Sequence, residues 1–375
     1  MNSISLYFGR VSHHALLALT IARTRLYITV GFLIPDKLEG GDCMKAAFVT
    51  APRKIEIMEI PMPTFNDDQM LVKIEANGVC TSDMSTYLDS FSAEVKKMRP
   101  FPRRIGHEPV GTIVEVGKNI RGYKKGDRIT GIFGFGTIAE YVMVDPNNIA
   151  LGGRPPMIEK VPDGMLSEHA IGEPMMDLVS HARCANPEFG DFVFQAGCGF
   201  MGLGVIAGVA SPKIREYIVA DLEDWRLDIA KQLGATITLN PKKVDVVAEV
   251  MKITGGKGVD VAIEAVGHPP GMKMVGAVIK NNRGKIIVVG WHQAPDTYEL
   301  MDWIKSPIIY SPQGIGMSTD PPSELPRALW AIQKGIYPMN KLVTHKYKLS
   351  ETQQAFEDNL GRTKGYIKGV IMPFI

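Results

Sequence analysis

Gln195-Ala-Gly197-Cys-Gly199-Phe-Met-Gly202 places three glycines at GxGxxG spacing, after the hydrophobic run Phe192–Ala196 and before a helical pattern, Met201–Ala210. Alone the spacing is weak, because the chain holds 38 glycines. Context strengthens it: Asp221 ends the next strand pattern, 19 residues after Gly202. In such a strand–turn–helix the first glycine permits the tight turn, and the second lets the backbone reach a pyrophosphate. The third lets helix and strand pack closely, and the helix N-terminus faces negative charge. Asp221 suits a ribose 2′-hydroxyl and would repel a 2′-phosphate, as would Glu223 and Asp224. Arg226, one turn into the next helix, is the counter-signal. The spacing predicts a dinucleotide site with NAD favoured over NADP, a ligand-free glycine-rich turn being the alternative. Cys198, inside the loop, reads as a packing residue.

Outward from this stretch, strand and helix patterns alternate. Phe192–Ala196, Tyr217–Ala220, Thr236–Leu239, Val259–Ala265, Lys285–Val289 and Ile308–Ser311 read as six strands. Met201–Ala210, Trp225–Leu233, Val244–Thr254 and Met272–Ile279 read as helices, with Gly234 placed to cap the second. Alternation of this kind predicts a parallel sheet covered on both faces. The preceding segment differs. Lys45–Val49, Ile55–Ile60, Met70–Ala76, Val110–Val116 and Tyr141–Val144 are short runs separated by Pro and Gly clusters, the mark of irregular β structure. Helices are expected again near Glu324–Lys334 and Glu351–Asn359, the latter with a Ser350/Gln353 capping box, before a final strand at Ile367–Met372.

At 375 residues the chain is too long for one ordinary core, so two domains are expected. Hydrophobic residues at 45% and charged residues at 22% exclude a mostly disordered chain. Lys plus Arg is 42 against 40 for Asp plus Glu, a balance without the basic excess of nucleic-acid or anionic-membrane binders. Cys43, Cys80, Cys184 and Cys198 form no CxxC pair, which argues against a disulfide scaffold and for a reducing, cytoplasmic setting. Phe192–Pro212 is uncharged, but its glycines and strand pattern fit a buried strand and helix better than a membrane span.

Residues 1–43 do not match the rest. They carry Arg10, Arg23 and Arg25 but no acidic residue before Asp36, and the uncharged runs Val11–Ala22 and Leu26–Pro35 are too short to cross a bilayer. An upstream extension preceding a functional chain that begins at Met44 is the favoured reading, with a leader peptide as the alternative.

A second constellation lies in the β-rich part. Gly78-Val-Cys80-Thr-Ser82-Asp83 follows an apolar strand, Gly106-His107-Glu108-Pro109 comes 27 residues after Cys80, and Gly172-Glu173-Pro174 precedes the alternating region. A thiolate, an imidazole and a carboxylate suit a catalytic zinc with an open position, although a single Cys or His is usually structural.

With GHEPVGTIVEVG, KKGDRI, AEYV and the terminal KGVIMP, these motifs resemble the zinc-dependent medium-chain dehydrogenase/reductase family across Met44–Ile375. The pattern is most similar to the sorbitol, glucose and threonine dehydrogenase branch, because Glu173 stands where classical alcohol dehydrogenases have cysteine. The resemblance implies an α/β fold, a GroES-like β-rich catalytic domain plus a Rossmann doubly wound parallel sheet. It divides the chain into 44–175 (catalytic), 176–313 (NAD-binding) and 314–375 (a return segment completing the catalytic domain). It implies one zinc per chain on Cys80, His107 and Glu173, with Glu108 an adjacent ligand or exchangeable carboxylate. Asp83 would orient His107, and Ser82 would relay the substrate proton. Gly197, Gly199, Phe200, Met201, Gly202, Asp221, Arg226, Val266, Gly290 and Lys368 would contact the cofactor, Lys368 at the pyrophosphate.

Three departures from the family stand out. Arg128–Ile138 leaves no room for the four-cysteine structural-zinc lobe. Ser85 occupies the usual relay-His position. The segment Met84–Ile105 carries Lys96, Lys97, Arg99, Arg103 and Arg104, either a solvated surface or a preference for an acidic substrate. His292, after the fifth strand, reads as a loop histidine without a catalytic role. The expected reaction is hydride transfer between a secondary alcohol, such as a polyol or sugar, and NAD. The alternatives are a zinc-free quinone or enone reductase and a non-catalytic NAD-binding protein. A small-molecule substrate is expected, with no nucleic-acid or membrane partner, and family analogy adds a homo-oligomer, dimer or tetramer.

Overall fold

The first nine-residue strand shows how the sequence divides its side chains. In β1 (Cys43–Ala51), Met44, Ala46 and Phe48 enter one core while Ala47 and Val49 enter another, as the two-residue strand period requires. The computed structural model describes residues 41–146, 157–292, 304–312 and 321–375. Residues 1–40, most of the expected extension, lie outside the described residues.

β1 pairs antiparallel with β2 (Lys54–Pro61). The larger β-rich sheet is built on β3 (Met70–Gly78), which pairs with β5 (Glu108–Val116) and β7 (Tyr141–Val144). The two-residue β4 (Arg103–Arg104) pairs with β1. β6 (Arg128–Gly131) and β8 (Ile158–Lys160) extend the large sheet on one side. Its other side is completed from the chain's far end: β16 (Gly369–Met372) pairs with β3, and β15 (His345–Lys348) pairs with β16.

The six-stranded sheet follows the sequence reading closely. It consists of β9 (Phe192–Ala196), β10 (Glu216–Ala220), β11 (Ile237–Leu239), β12 (Val261–Glu264), β13 (Lys285–Val288) and β14 (Ile308–Tyr310). All are parallel, in the order β11-β10-β9-β12-β13-β14, a Rossmann-type sheet. Alternate residues feed two layers: Val193, Tyr217, Val219, Val261 and Ile263 on one face, Phe194, Ile218, Ala220 and Ala262 on the other.

Two short helices, α1 (Met84–Tyr87) and α2 (Ala93–Met98), break up the segment expected as a long loop. Of its basic residues, Arg103 is buried against Asp89 at 2.6 Å, and Lys96 reaches the same carboxylate at 3.2 Å. Arg104 donates to the Gly136 carbonyl at 2.7 Å.

α3 (Gly172–Ala185) has no counterpart in the sequence reading. Pro174 is tolerated because it sits in the first turn, where its missing N–H has no helical partner. Leu178 and Ala185 pack with α4 (Phe200–Val209) and α5 (Asp224–Gln232) on one face of the parallel sheet. The other face is covered by α6 (Val246–Ile253) and α7 (Pro269–Val278). The core around α3 continues through Ala76, Val110 and Val370 of the β-rich sheet, so α3 forms the seam between the two halves. No helix among the described residues is long and apolar enough to cross a membrane.

Past the parallel sheet come α8 (Pro321–Gln333), α9 (Met339–Leu342) and α10 (Thr352–Gly361). The expected Ser350/Gln353 capping box is not formed. Glu351 instead accepts from Lys348 N–H at 2.7 Å, and Gln353 receives the Ile55 N–H at 2.7 Å. Long-range pairing of β2 with α10 takes Gln353 away from the local motif.

A polar hub braces β3, β6 and the approach to α3. The Glu75 carboxylate accepts from Arg128 Nε at 3.0 Å, Ser167 Oγ at 2.6 Å and the Thr112 hydroxyl. Burial alone would raise its pKa, but the Ser167 and Thr112 hydroxyls and the Arg128 charge together hold it below the usual carboxylate value. Glu75→Gln is expected to destabilise the fold by about 1.5–3 kcal/mol at pH 7, the range for hydrogen bonds to a charged group. Because the folded pKa is depressed, this stabilisation is present above the unfolded value of about 4.3 and fades as pH falls through the folded one. Urea denaturation of both proteins at pH 7 and at about pH 3.5 checks this; an equal gap at both would refute it.

Candidate active site

β3 delivers Gly78 and then Cys80, and a 3₁₀ turn, Thr81–Asp83, carries the next three residues. His107 and Glu108 enter at the start of β5, the strand beside β3. The register sets Gly78 opposite Glu108, so sheet pairing alone brings the 80s and the 107–108 pair together. One ligand atom each from Cys80, His107 and Glu108 lie within 4.8 Å of one another, the single such grouping among the described residues.

Asp83 Oδ1 is 3.3 Å from His107 Nδ1, which leaves Nε2 facing the thiol. Ser82 Oγ donates to Cys80 Sγ at 3.1 Å and lies 3.3 Å from that Nε2. Despite burial, the Asp83 carboxylate and Cys80 push the His107 pKa well up. The exposed ring of Phe135 meets the imidazole edge-on, with centroids 5.8 Å apart.

Glu173 is at the start of α3 and lies outside the three-residue grouping. Its environment nonetheless joins it to the cluster. Burial pushes its carboxyl up to about 7, with His107 and Lys368 opposing and Glu108 reinforcing the rise. The helix can start here because Gly172 is small: a Cβ would stand 2.6 Å from Leu325 and 2.9 Å from Thr130. The Gly172 N–H is taken by Thr130 Oγ1 at 2.9 Å.

Lys368, expected at the pyrophosphate, has its ammonium 2.7 and 2.6 Å from the two Glu108 oxygens. Both side chains are almost fully buried. The same Nζ lies 4.7 Å from the Phe200 ring centroid, so this lysine stands between the cluster and the glycine-rich loop. Gly78 makes the pairing possible, since a Cβ there would lie 1.8 Å from Glu108 Oε2. Sequence reasoning missed this requirement, for which only the strand register gives a signal.

The loop itself has the expected geometry. Gly197 has φ +100°, and a Cβ would stand 2.6 Å from the Ala265 carbonyl. A Cβ on Gly202 would stand 2.3 Å from the Gly197 carbonyl, which explains the third glycine. Phe200 and Met201 open α4, while Gly199 precedes it. Buried Gln195, not anticipated, donates to the carbonyls of Gly197 (2.8 Å) and Gly202 (2.9 Å) and accepts from Tyr217 Oη at 2.8 Å.

Asp221 accepts from Cys198 N–H at 2.7 Å and Glu223 N–H at 2.9 Å, which fixes its carboxylate under the loop. Arg226 donates to the Tyr366 carbonyl at 3.2 Å, not to the ribose side. Cys198 is buried and its thiol pKa is pushed up by burial and then by Asp221, in keeping with a packing role.

At the end of β12, buried Glu264 accepts from the N–H groups of Val266 (2.8 Å) and Gly267 (2.9 Å), and its other oxygen is 3.0 Å from His292 Nε2. Gly290 must stay small, because a Cβ would lie 2.5 Å from Glu264 Oε2. The expectation of a plain loop histidine is thereby changed: His292 is tied to a buried carboxylate. Its neighbour Gln293 lies outside the described residues.

The donor set fits a divalent cation. A thiol, an imidazole oriented by Asp83 and the Glu108 carboxylate offer ligand atoms within 4.8 Å of one another, a mixed sulfur, nitrogen and oxygen set of the kind zinc takes.

Comparison with known proteins bears on the fold and family. Residues 66–152 match the alcohol dehydrogenase GroES-like domain, and residues 201–331 match the zinc-binding dehydrogenase family. Sorbitol dehydrogenase of Bacillus subtilis (strain 168) is 28% identical over 354 residues, spanning 88% of this chain and 97% of that protein. L-threonine 3-dehydrogenase of Pyrococcus horikoshii is 29% identical over 341 residues, spanning 80% and 91%. The crystal structure of 2R,3R-butanediol dehydrogenase from Bacillus subtilis superimposes with a TM-score of 0.74 at 27% identity, covering 88% and 99%.

Proposed function

The chain belongs to the zinc-type medium-chain dehydrogenase/reductase family and is an oxidoreductase of the alcohol dehydrogenase type, and from that premise we propose that it oxidises a secondary alcohol of the polyol or sugar class with NAD. The observation that carries this reading is the grouping of Cys80, His107 and Glu108 within 4.8 Å, with the Ser82 hydroxyl against two of them. Cys80 and His107 would hold the metal, with Glu173 and Glu108 supplying carboxylates. When bound, the metal supplies Lewis acidity toward a substrate hydroxyl, and the nicotinamide supplies the hydride acceptor.

The protein's own residues do the rest. Asp83 holds the His107 ring by its Nδ1 side, so Nε2 points at the reaction centre. Ser82 Oγ is placed to accept the substrate hydroxyl proton as it leaves, and solvent takes it onward because Ser85 offers no imidazole. The Gly197–Gly202 turn and the N-terminus of α4 receive the pyrophosphate.

NAD is favoured over NADP on charge. Asp221 is fixed by two backbone N–H groups where a 2′-phosphate would meet it, and Arg226 is engaged with Tyr366. Arg103 and Lys96 share the single Asp89 carboxylate, which offsets one of their two charges.

Purified protein is expected to contain about one zinc per chain and to reduce NAD, with NADP at least about tenfold poorer, on a panel of polyols, aldoses and sugar acids. Metal analysis with absorbance at the reduced-nicotinamide band tests this. Absence of zinc together with absence of turnover across the panel would refute it.

A further inference from the structure

Asp177 belongs to none of the roles above, yet its carboxyl is unusual: Oδ1 is buried without a hydrogen bond. It lies four residues after Glu173 and four before His181 on α3, so the three share one face of the helix. At one end of this stripe, Glu173 faces the charges of His107, Glu108 and Lys368. At the other end, His181 Nδ1 meets the Asp177 carbonyl at 2.5 Å, and the ring lies against the backbone of Val288, the last residue of β13. Asp177 is thus suspended between the metal-ligand group and the carboxyl ends of the parallel strands, where open α/β sheets take their ligands.

Asp177 keeps some accessible surface although protein surrounds most of it. Its buried Oδ1 makes no hydrogen bond. The charges that face it are Glu173 on its own helix, Glu324 on α8, Glu108 on β5 and His107 before it, and no lysine or arginine is among its principal charge neighbours. Burial, then these carboxylates, push its pKa well up, so the carboxyl favours its neutral form until a cation is brought beside it.

We infer that Asp177 is the counter-charge for the oxidised nicotinamide ring, so that the protein holds the cationic, oxidised dinucleotide in preference to the neutral, reduced one. The inference rests on the dehydrogenase reading. Hydride transfer brings the ring to the junction of metal-ligand group and strand ends, and only the oxidised ring carries positive charge. A substrate ammonium would offer the same charge. The ring is the better match, because the stripe runs on from the cluster to β13, on the sheet that receives the dinucleotide.

The test is Asp177→Asn in the full-length, zinc-loaded protein, with NAD and NADH titrated separately by calorimetry. NAD affinity is expected to fall about tenfold while NADH affinity changes by less than about twofold, and Asp177→Glu should keep the preference for NAD. Asp177→Ser supplies the same comparison should the amide variant fail to fold. An unchanged ratio of the two affinities, or an equal loss of both, would overturn the inference. So would a defect confined to the KM of amine-bearing alcohols, which would assign the counter-charge to substrate. A wild-type protein that binds neither nucleotide would instead refute the dehydrogenase reading.

Discussion

Replacing Cys80 by alanine is expected to empty the metal site and to lower turnover by about a thousandfold or more, the scale of removing Lewis-acid stabilisation from a transition state. The expectation follows from the donor set. Cys80 supplies the one thiol in the grouping, and a thiolate is the softest and most zinc-selective ligand available there. Without it, His107 and the carboxylates make a harder, weaker site that exchanges metal freely. The fold should survive, because Cys80 is only partly buried and the hydrogen-bond partners of its Sγ are the site residues Ser82 and His107. Metal content, circular dichroism and initial rates on one preparation separate these effects. Cys184→Ala and Cys43→Ala, away from the grouping, should leave both zinc and rate unchanged. A Cys80→Ala protein with full zinc and full rate would remove the basis of the proposed function.

The second large effect is expected in stability. Lys368→Met strips the ammonium from a Glu108 carboxylate that is almost wholly buried, and breaking a buried pair from one side costs about 3–5 kcal/mol. Burial by itself would lower the Lys368 pKa; the charge of Glu108, with Cys80 and Glu173 helping, raises it instead. Gly78 leaves no slack for Glu108 to move away, since the strand opposite lies in contact with its oxygen. Denaturant midpoints should show the loss, and Glu108→Gln combined with Lys368→Met should recover much of it, because no buried charge is then left alone. A single variant as stable as the double one would mean that the pair does not hold this corner together. The single variant should also weaken nucleotide binding, because Lys368 lies over the Phe200 ring at the start of α4.

Much of the fold could be read before any coordinates. The six parallel strands were legible to within two residues at each end, because each is a short run of mainly β-branched and aromatic residues bounded by turn signals, buried in the four central strands. Gly234, with φ +114°, caps α5 where its place past the helical pattern predicts. The long loop after Met84 was misread because α1 and α2 are too short for a helical period to emerge from the pattern. α3 was missed for another reason. Its Gly-Glu-Pro opening resembles a turn, and only Thr130 and Leu325, distant in sequence, explain why a helix begins there.

The site divides in the same way. The dinucleotide turn is a local device, held by glycine conformations and strand–helix order within some thirty residues, so it can be recognised from its own stretch of chain. Cys80, His107 and Glu108 were on offer as donor types, the family resemblance added the roles of Ser82 and Asp83, and the β3–β5 register brings the strand-borne residues together. What the sequence leaves open is which charges meet. Lys368 on Glu108 and Arg226 on Tyr366 are relations across 140 residues or more, His292 on Glu264 joins the ends of two neighbouring strands, and Asp177 Oδ1 is buried without a hydrogen bond. Short-range rules determine where the backbone turns and which residue types are on offer. Long-range packing decides which buried charges are neutralised, because only the closed fold removes the water that would otherwise solvate each of them separately.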